Sequence, residues 1–252
     1  MKNDPIRAVC RALQVLRTLN TVQKASLHDL HVHTGLPKST LSRLLQTLQN
    51  EGYAQAEGDA GAYRLTSKVK ELANGYTEKS LVVDVGSPLA LRVTRAIRWP
   101  LAIGTLDGDA VVVRYSTMPY SPLAVHATTL GQRLGLLDTA MGRVYLAHCG
   151  QTERDALLEL LRAASPDGRV EDEAHLFDEL RLIHHQGYAV RLPNARRSSA
   201  TLAVPVLHSA DVVATLCLTT FGKSLTAGVI TKYLPVLQTT AEEISLAYAE
   251  RL

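Results

Sequence analysis

Apolar residues in the first quarter of the chain recur at helical spacing and are punctuated by glycine and proline. Ile6, Val9, Leu13 and Leu16 predict a helix over 6–19. A second helix is predicted over 26–34. Ser26 stands as its cap, Asp29 three residues on as the partner acid, and Leu27, Leu30 and Val32 as apolar contacts. Gly35 falls where a helix end takes a left-handed residue, and Pro37 where a new helix tolerates a missing N–H. Leu41, Leu44, Leu45 and Leu48 give residues 37–51 one apolar face, and Gly52 ends that helix. Two short runs, 53–57 and 62–65, flank the turn Gly58-Asp59-Ala60-Gly61 and predict a hairpin. Val69, Leu72 and Tyr76 predict a linker helix over 66–76.

A further amphipathic helix is expected over 81–97, interrupted early by Gly86 and Pro88. Beyond Trp99-Pro100 the apolar period changes from helical to alternating. Runs at 101–106 and 110–115 flank Asp107-Gly108-Asp109, a hairpin signal. More strands are expected at 123–126, 133–137, 188–191, 201–207 and 212–219. Helices are expected at 139–148, 152–163, 173–186 and 226–251. Strands joined by hairpins and mixed with helices predict an α+β domain, an antiparallel sheet covered by helices. The division that follows is a winged helix-turn-helix in 1–66, a linker helix in 67–80 and a second domain in 81–252.

The order helix, helix, glycine turn, helix, hairpin is that of a winged helix-turn-helix. Its third helix needs one face for the core and one for DNA. The leucines supply the first. Lys38, Ser39, Thr40, Ser42, Arg43, Gln46 and Asn50 supply the second. Short hydroxyl residues at the helix start let backbone N–H groups approach phosphate. Arg43 is long enough to reach a guanine edge, Gln46 suits adenine, and Arg64 beside the wing turn suits the flanking backbone. The expected partner is double-stranded operator DNA.

Charge adds modestly to this picture. Residues 1–68 hold nine Lys/Arg against five Asp/Glu, whereas the other 184 hold 18 against 19, so the positive excess is all N-terminal. Cys10, Cys149 and Cys217 are too sparse for a disulfide framework. They read as small buried hydrophobes in a reducing cytoplasm. No apolar run is long enough to span a membrane, and the N-terminus lacks the pattern of a secretory signal. His28, His31 and His33 have no further ligand at zinc-type spacing, so neither metal nor cofactor is expected. GxSxG, HExxH, GxxxxGK[ST] and a strand-to-helix GxGxxG are all missing. Asp107 and Asp109 belong to turn chemistry. His148 and Cys149 are adjacent on a helix and point about 100° apart.

The stretch RALQVLRTLN…SLHDLHVHTGLPKSTLSRLLQTLQNEGYAQ…YRLTSKVKELANGY resembles the DNA-binding half of the IclR family of bacterial regulators. LLDTAMGRVYLAHC (136–149), HHQGYAVRL (184–192) and LAVPVLHSADVVATLCLT (202–219) resemble segments of its effector half. Segments 99–117 and 123–140 look most like the family's hydroxyphenylpropionate-responsive activators. The resemblance implies a GAF-like effector-binding domain, dimers made through the DNA-binding half and linker, and often tetramers. It also implies cavity positions at Leu123, Ala140, Met141, Arg191, Ser199, Thr201, Cys217 and Thr219. RLPNARRSS (191–199) departs from the acidic run that members often carry there.

Those residue types describe an apolar pocket with a few hydroxyls and one cation, which suits an aromatic carboxylate or its coenzyme-activated form. Arg191 can hold a carboxylate through two N–H groups. His126 and Arg133 are further candidates. Two alternatives stay open at this point: a DNA-binding dimer without a ligand, and a metabolic enzyme.

Overall fold

A computed structural model of the chain describes residues 5–57, 61–73, 80–124, 126–164, 173–193 and 198–252. The chain forms two compact units, Met1–Thr77 and Glu78–Leu252.

The first unit contains α1 (Arg7–Val22), β1 (Ala25–Ser26), α2 (Leu27–Thr34), α3 (Lys38–Asn50), β2 (Ala54–Glu57) and β3 (Ala62–Leu65). β3 lies between β1 and β2, antiparallel to both. The capping box at the start of α2 forms as expected: Asp29 N–H donates to Ser26 Oγ, and Ser26 N–H to Asp29 Oδ2 at 2.9 Å. The Ser26 hydroxyl and backbone hold the Asp29 carboxyl below the ordinary range. Gly35 ends α2 with φ of +69°. Pro37 caps α3 from outside and is not its first turn. Leu41, Leu45 and Leu48 of α3 pack with Val15, Leu19 and Leu30 into one core.

Three sequence expectations need correction here. Ile6, Val9 and Leu13 are 71%, 52% and 45% exposed, so of the stripe that predicts α1 only Leu16 packs against the core. Val15 and Leu19 are buried, on a face about 200° round the helix from Leu13. α1 thus has two apolar faces, and α2 and α3 cover one. Val32 points outward for the same reason, two positions after buried Leu30. The linker is not an α-helix over the described residues; Ser67–Ala73 is 3₁₀. Thr66 accepts from Lys68 N–H through its side chain and from Val69 N–H through its carbonyl, which tightens the turn. Residues 58–60 of the hairpin turn, and 74–79 of the linker, lie outside the described residues.

The second unit contains α4 (Leu81–Ile97), β4 (Leu101–Asp107), β5 (Ala110–Ser116), β6 (Arg133–Gly135), α5 (Ala140–His148), α6 (Gln151–Ala164), α7 (Glu173–Gln186), β7 (Ala189–Arg191), β8 (Ser199–His208), β9 (Asp211–Phe221) and α8 (Ala227–Ala249). One antiparallel sheet runs in the order β6-β5-β4-β9-β8-β7. Its residues alternate between two cores. Leu101, Ile103, Leu202, Val204, Leu216 and Leu218 face α4 and α8. Ala102, Ala203 and Cys217 face α5 and α7. This is the α+β architecture that the alternating runs predict.

Pro88 does not interrupt α4. Gly86 keeps the helix seated against the sheet: a Cβ there would lie 2.8 Å from Ile103 Cδ1. The strand expected at 123–126 does not form at 123, 124 or 126, and residue 125 lies outside the described residues. Ser121 Oγ donates to the Arg98 carbonyl at 2.6 Å and accepts from Leu123 N–H, bending the chain out of any ladder. Of the cysteines, Cys149 and Cys217 are buried but Cys10 is exposed, on the outward face of α1. Among the described residues, no helix is long and apolar enough to cross a membrane.

Candidate nucleic-acid interface and ligand cavity

The exposed face of α3 follows from the leucine period. Lys38, Ser39, Ser42, Arg43, Gln46 and Asn50 are exposed and Thr40 is half-buried. No side chain caps α3, so its first-turn N–H groups are left to solvent or to phosphate. Arg43 has no ion-pair partner among the described residues, whereas Gln46 donates to Asn50 Oδ1 at 3.1 Å. Arg64 lies on the wing hairpin opposite Gln55. With the Gln55 amide oxygen turned toward it, the guanidinium donates at 2.9 and 2.7 Å, and Glu57 stands 3.7 Å away. These bonds steady a cation at the edge of the hairpin.

The second unit holds a cavity of about 320 Å³ between the sheet and the start of α5. Small residues stand in register across its floor: Cys217 of β9 lies opposite Ala102 of β4, and both line the cavity. One row along, Arg191, Thr201 and Thr219 are in register on β7, β8 and β9. Arg191 Nη2 donates to Ser199 Oγ at 3.0 Å and to Thr201 Oγ1 at 3.3 Å. The guanidinium is therefore held over β8. Ala140 and Met141 enter at the start of α5, which Thr139 caps by accepting from Gly142 N–H.

Eight sequence candidates thus line one cavity: His126, Ala140, Met141, Arg191, Ser199, Thr201, Cys217 and Thr219. Leu123 and Arg133 are not among its lining residues. Leu123 sits in the turn after Pro122. Arg133 is exposed and bound to the β4–β5 hairpin, 2.6 Å from Asp109 Oδ1 and 2.9 Å from the Asp107 carbonyl. Its charge is engaged in pinning edge strand β6. Thr129, Gln132, Ser198 and Met118 also line the cavity and carry no sequence signal of it. Ala102 was within reach, since strand alternation opposite Cys217 selects it.

Burial pushes the Cys217 thiol up to about 12, so the cavity wall there is a neutral, weakly polar group. Burial likewise raises Cys149 to about 11, which rules it out as a ready nucleophile at neutral pH. His148, at the far end of α5, bonds the Val144 carbonyl through Nδ1, and its ring centroid lies 5.0 Å from that of His184 on α7. Burial, with help from His184 and Arg154, lowers its pKa below the ordinary 6.5. The unfolded chain then takes up this proton more readily than the folded one, so stability falls as pH drops below about 6.5 and levels off once folded His148 also protonates. Calorimetric melts should show wild-type Tm falling a few degrees more between pH 7.5 and 5.5 than that of a His148→Gln variant. Equal falls would remove His148 from the acid response.

A helix-turn-helix with an exposed polar third helix and a wing, in one chain with a cavity-bearing α+β unit, defines a DNA-binding transcription regulator. Residues 8–58 match the IclR helix-turn-helix domain, and 75–246 match the bacterial transcriptional regulator IclR C-terminal domain. The chain belongs to the IclR family of transcriptional regulators. It is 30% identical to the HTH-type transcriptional regulator XynR of Escherichia coli K12, over 96% of this chain and 97% of the relative. Among solved structures it is similar to a transcriptional regulator of Rhodococcus sp. RHA1, with a TM-score of 0.66, 25% identity and coverage of 98% and 100%. It also shares its fold with an IclR homologue from Microbacterium hydrocarbonoxydans complexed with 4-hydroxybenzoate, at a TM-score of 0.61, 21% identity and coverage of 96% and 99%. The similarity reaches the family; the finer likeness to hydroxyphenylpropionate-responsive activators is not among these findings. Relatives and families of this kind are regulators, and the enzyme alternative drops out.

Proposed function

We propose that this regulator binds an aromatic carboxylate in the cavity of its second unit and changes its grip on operator DNA in response. The observation that carries the ligand class is the Arg191 guanidinium, braced by two hydroxyls at one end of a mostly apolar cavity. A carboxylate there gains charged hydrogen bonds, and the ring gains the small-residue floor. A volume of about 320 Å³ falls at the small end of ligand sites, which run from ~300 to 1,000 Å³. The complex of the Microbacterium homologue with 4-hydroxybenzoate points the same way.

In this reading α3 enters the major groove with Lys38, Ser39, Thr40, Ser42, Arg43 and Gln46, and Arg64 touches the flanking backbone. The protein works as a dimer in the reducing cytoplasm. The apolar stripe Ile6, Val9 and Leu13, uncovered in the single chain, is the surface a second copy would bury. Effector control requires different affinities for two conformations, because a ligand that binds both equally shifts nothing.

Isothermal titration with a panel of aromatic acids tests the ligand class. Arg191→Ala is expected to weaken binding by about 10- to 150-fold, the worth of a hydrogen bond to a charged group. An unchanged affinity would take Arg191 out of the site, and no heat from any acid would sink the class.

A further inference from the structure

The cavity has a second polar end. Its lining draws on all six strands of the sheet, from Arg191 on β7 to Leu134 on β6. The polar groups are not spread evenly. Arg191, Ser199 and Thr201 gather at the β7–β8 end. Ser198 and Thr219, which is in register with Thr201, lie at that same end. Ala102, Val113, Met118, Met141 and Cys217 are the apolar part of the lining, and Thr139 beside them has its hydroxyl engaged by the Gly135 carbonyl and Gly142 N–H. His126, Thr129 and Gln132 then gather in the connection from β5 to β6.

This second end is built onto the sheet. Gly131 N–H donates to the Val113 carbonyl at 2.8 Å, Val113 N–H to the Gln132 carbonyl at 3.0 Å, and Gln132 N–H to the Thr129 carbonyl at 3.0 Å. The Thr129 hydroxyl gives its proton to Ser116 Oγ at 2.9 Å, which leaves its lone pairs to accept. The Gln132 amide and the His126 imidazole supply both a donor and an acceptor. None of the three is Lys, Arg, Asp or Glu, so this end suits a neutral hydrogen-bonding group better than a second carboxylate.

Strand spacing sets the separation. The guanidinium is held over β8, and the second end is tied to β5, three strands away. At about 4.8 Å per strand the two lie roughly 14 Å apart along a flat sheet, and closer where the sheet coils. A bare carboxylate or a short oxoacid engages one end only. An aryl acid with a hydroxyl opposite its carboxylate places one polar group at each.

We infer that His126, Thr129 and Gln132 form a hydroxyl-reading subsite, so that the effector is an elongated monoanion with its hydroxyl at the pole opposite the carboxylate. The inference rests on the effector reading above and adds a specificity device to it. The test is calorimetry with benzoate, phenylacetate and 3-phenylpropionate, each with and without a para hydroxyl. In at least one pair the hydroxylated acid should bind wild type about tenfold tighter, as a well-made hydrogen bond allows. In the His126→Ala/Gln132→Ala double variant that ratio should collapse to near one. Both residues are exposed, and a wild-type melting temperature would certify the fold. Heat from wild type with no preference for the hydroxyl in any pair would overturn the subsite and leave the carboxylate site standing. So would a preference that survives the double variant. No heat from any of the six acids would overturn the carboxylate site and the subsite with it.

Discussion

An Arg43→Ala variant should bind operator DNA about 5- to 150-fold more weakly than wild type while melting at the same temperature. The range is the ~1–3 kcal/mol carried by a bidentate bond pair to a base edge. Stability should hold because Arg43 is exposed on α3 and no ion pair joins it to the described residues. Exposed substitutions of this kind stay within roughly 0.5 kcal/mol. The weakening should fall on operator sequence and spare random duplex. Lys38→Ala provides the contrast: without an ammonium to meet a phosphate, binding to both duplexes should weaken and the salt slope should drop by about one. Fluorescence anisotropy on the two duplexes over a salt series separates these outcomes. An Arg43→Ala chain that kept operator preference would remove α3 from the groove.

The second large effect is expected far from DNA. Gly142 lies in the first turn of α5 with backbone packed against it. A Cβ there would stand 2.3 Å from the Gly135 carbonyl oxygen and 2.5 Å from Leu136 Cα. No rotamer relieves a clash between Cβ and backbone, so α5 must move. Overpacking of this kind costs ~1–3 kcal/mol or more. That corresponds to a fall in Tm of about 2–12 °C for a unit of this size. Ala140 and Met141 precede it directly and would shift with the helix, so Gly142→Ala should also blunt ligand binding. A melting curve that overlays wild type would show that α5 has room the geometry denies.

Much of the first unit was legible in the sequence because its signals are local. The Ser26–Asp29 box, the left-handed Gly35 and the leucine face of α3 each depend on residues a few positions apart. α1 misled on which face it buries, since two apolar stripes share one helix and only the packing of α2 and α3 chooses between them. The linker misled because Thr66 tightens the chain into 3₁₀ geometry through a side-chain bond that periodicity does not register. In the second unit alternation found most strands, and seven of the eight positions implied by the resemblance fall on the cavity lining. The β5–β6 connection was misread on both counts. Leu123 looked like a strand residue and Arg133 like a ligand-binding cation. Ser121 bends the first away, and the Asp107–Asp109 turn claims the second. Gln132 and Thr129 have no period or motif. They meet the cavity only because residues 131–132 extend the pairing of β5.

Occupancy of the cavity is expected to alter the grip of the helix-turn-helix on DNA. Anisotropy of labelled DNA from upstream of this protein's own gene, titrated with the chain at low salt, measures that grip directly. The titration is repeated with saturating amounts of whichever aromatic acid gives heat. Retention is expected at low salt, where phosphate interactions are strongest, with an affinity changed at least about fivefold by the acid, the lower end of typical coupling between sites. The same affinity with and without a bound acid would contradict that coupling.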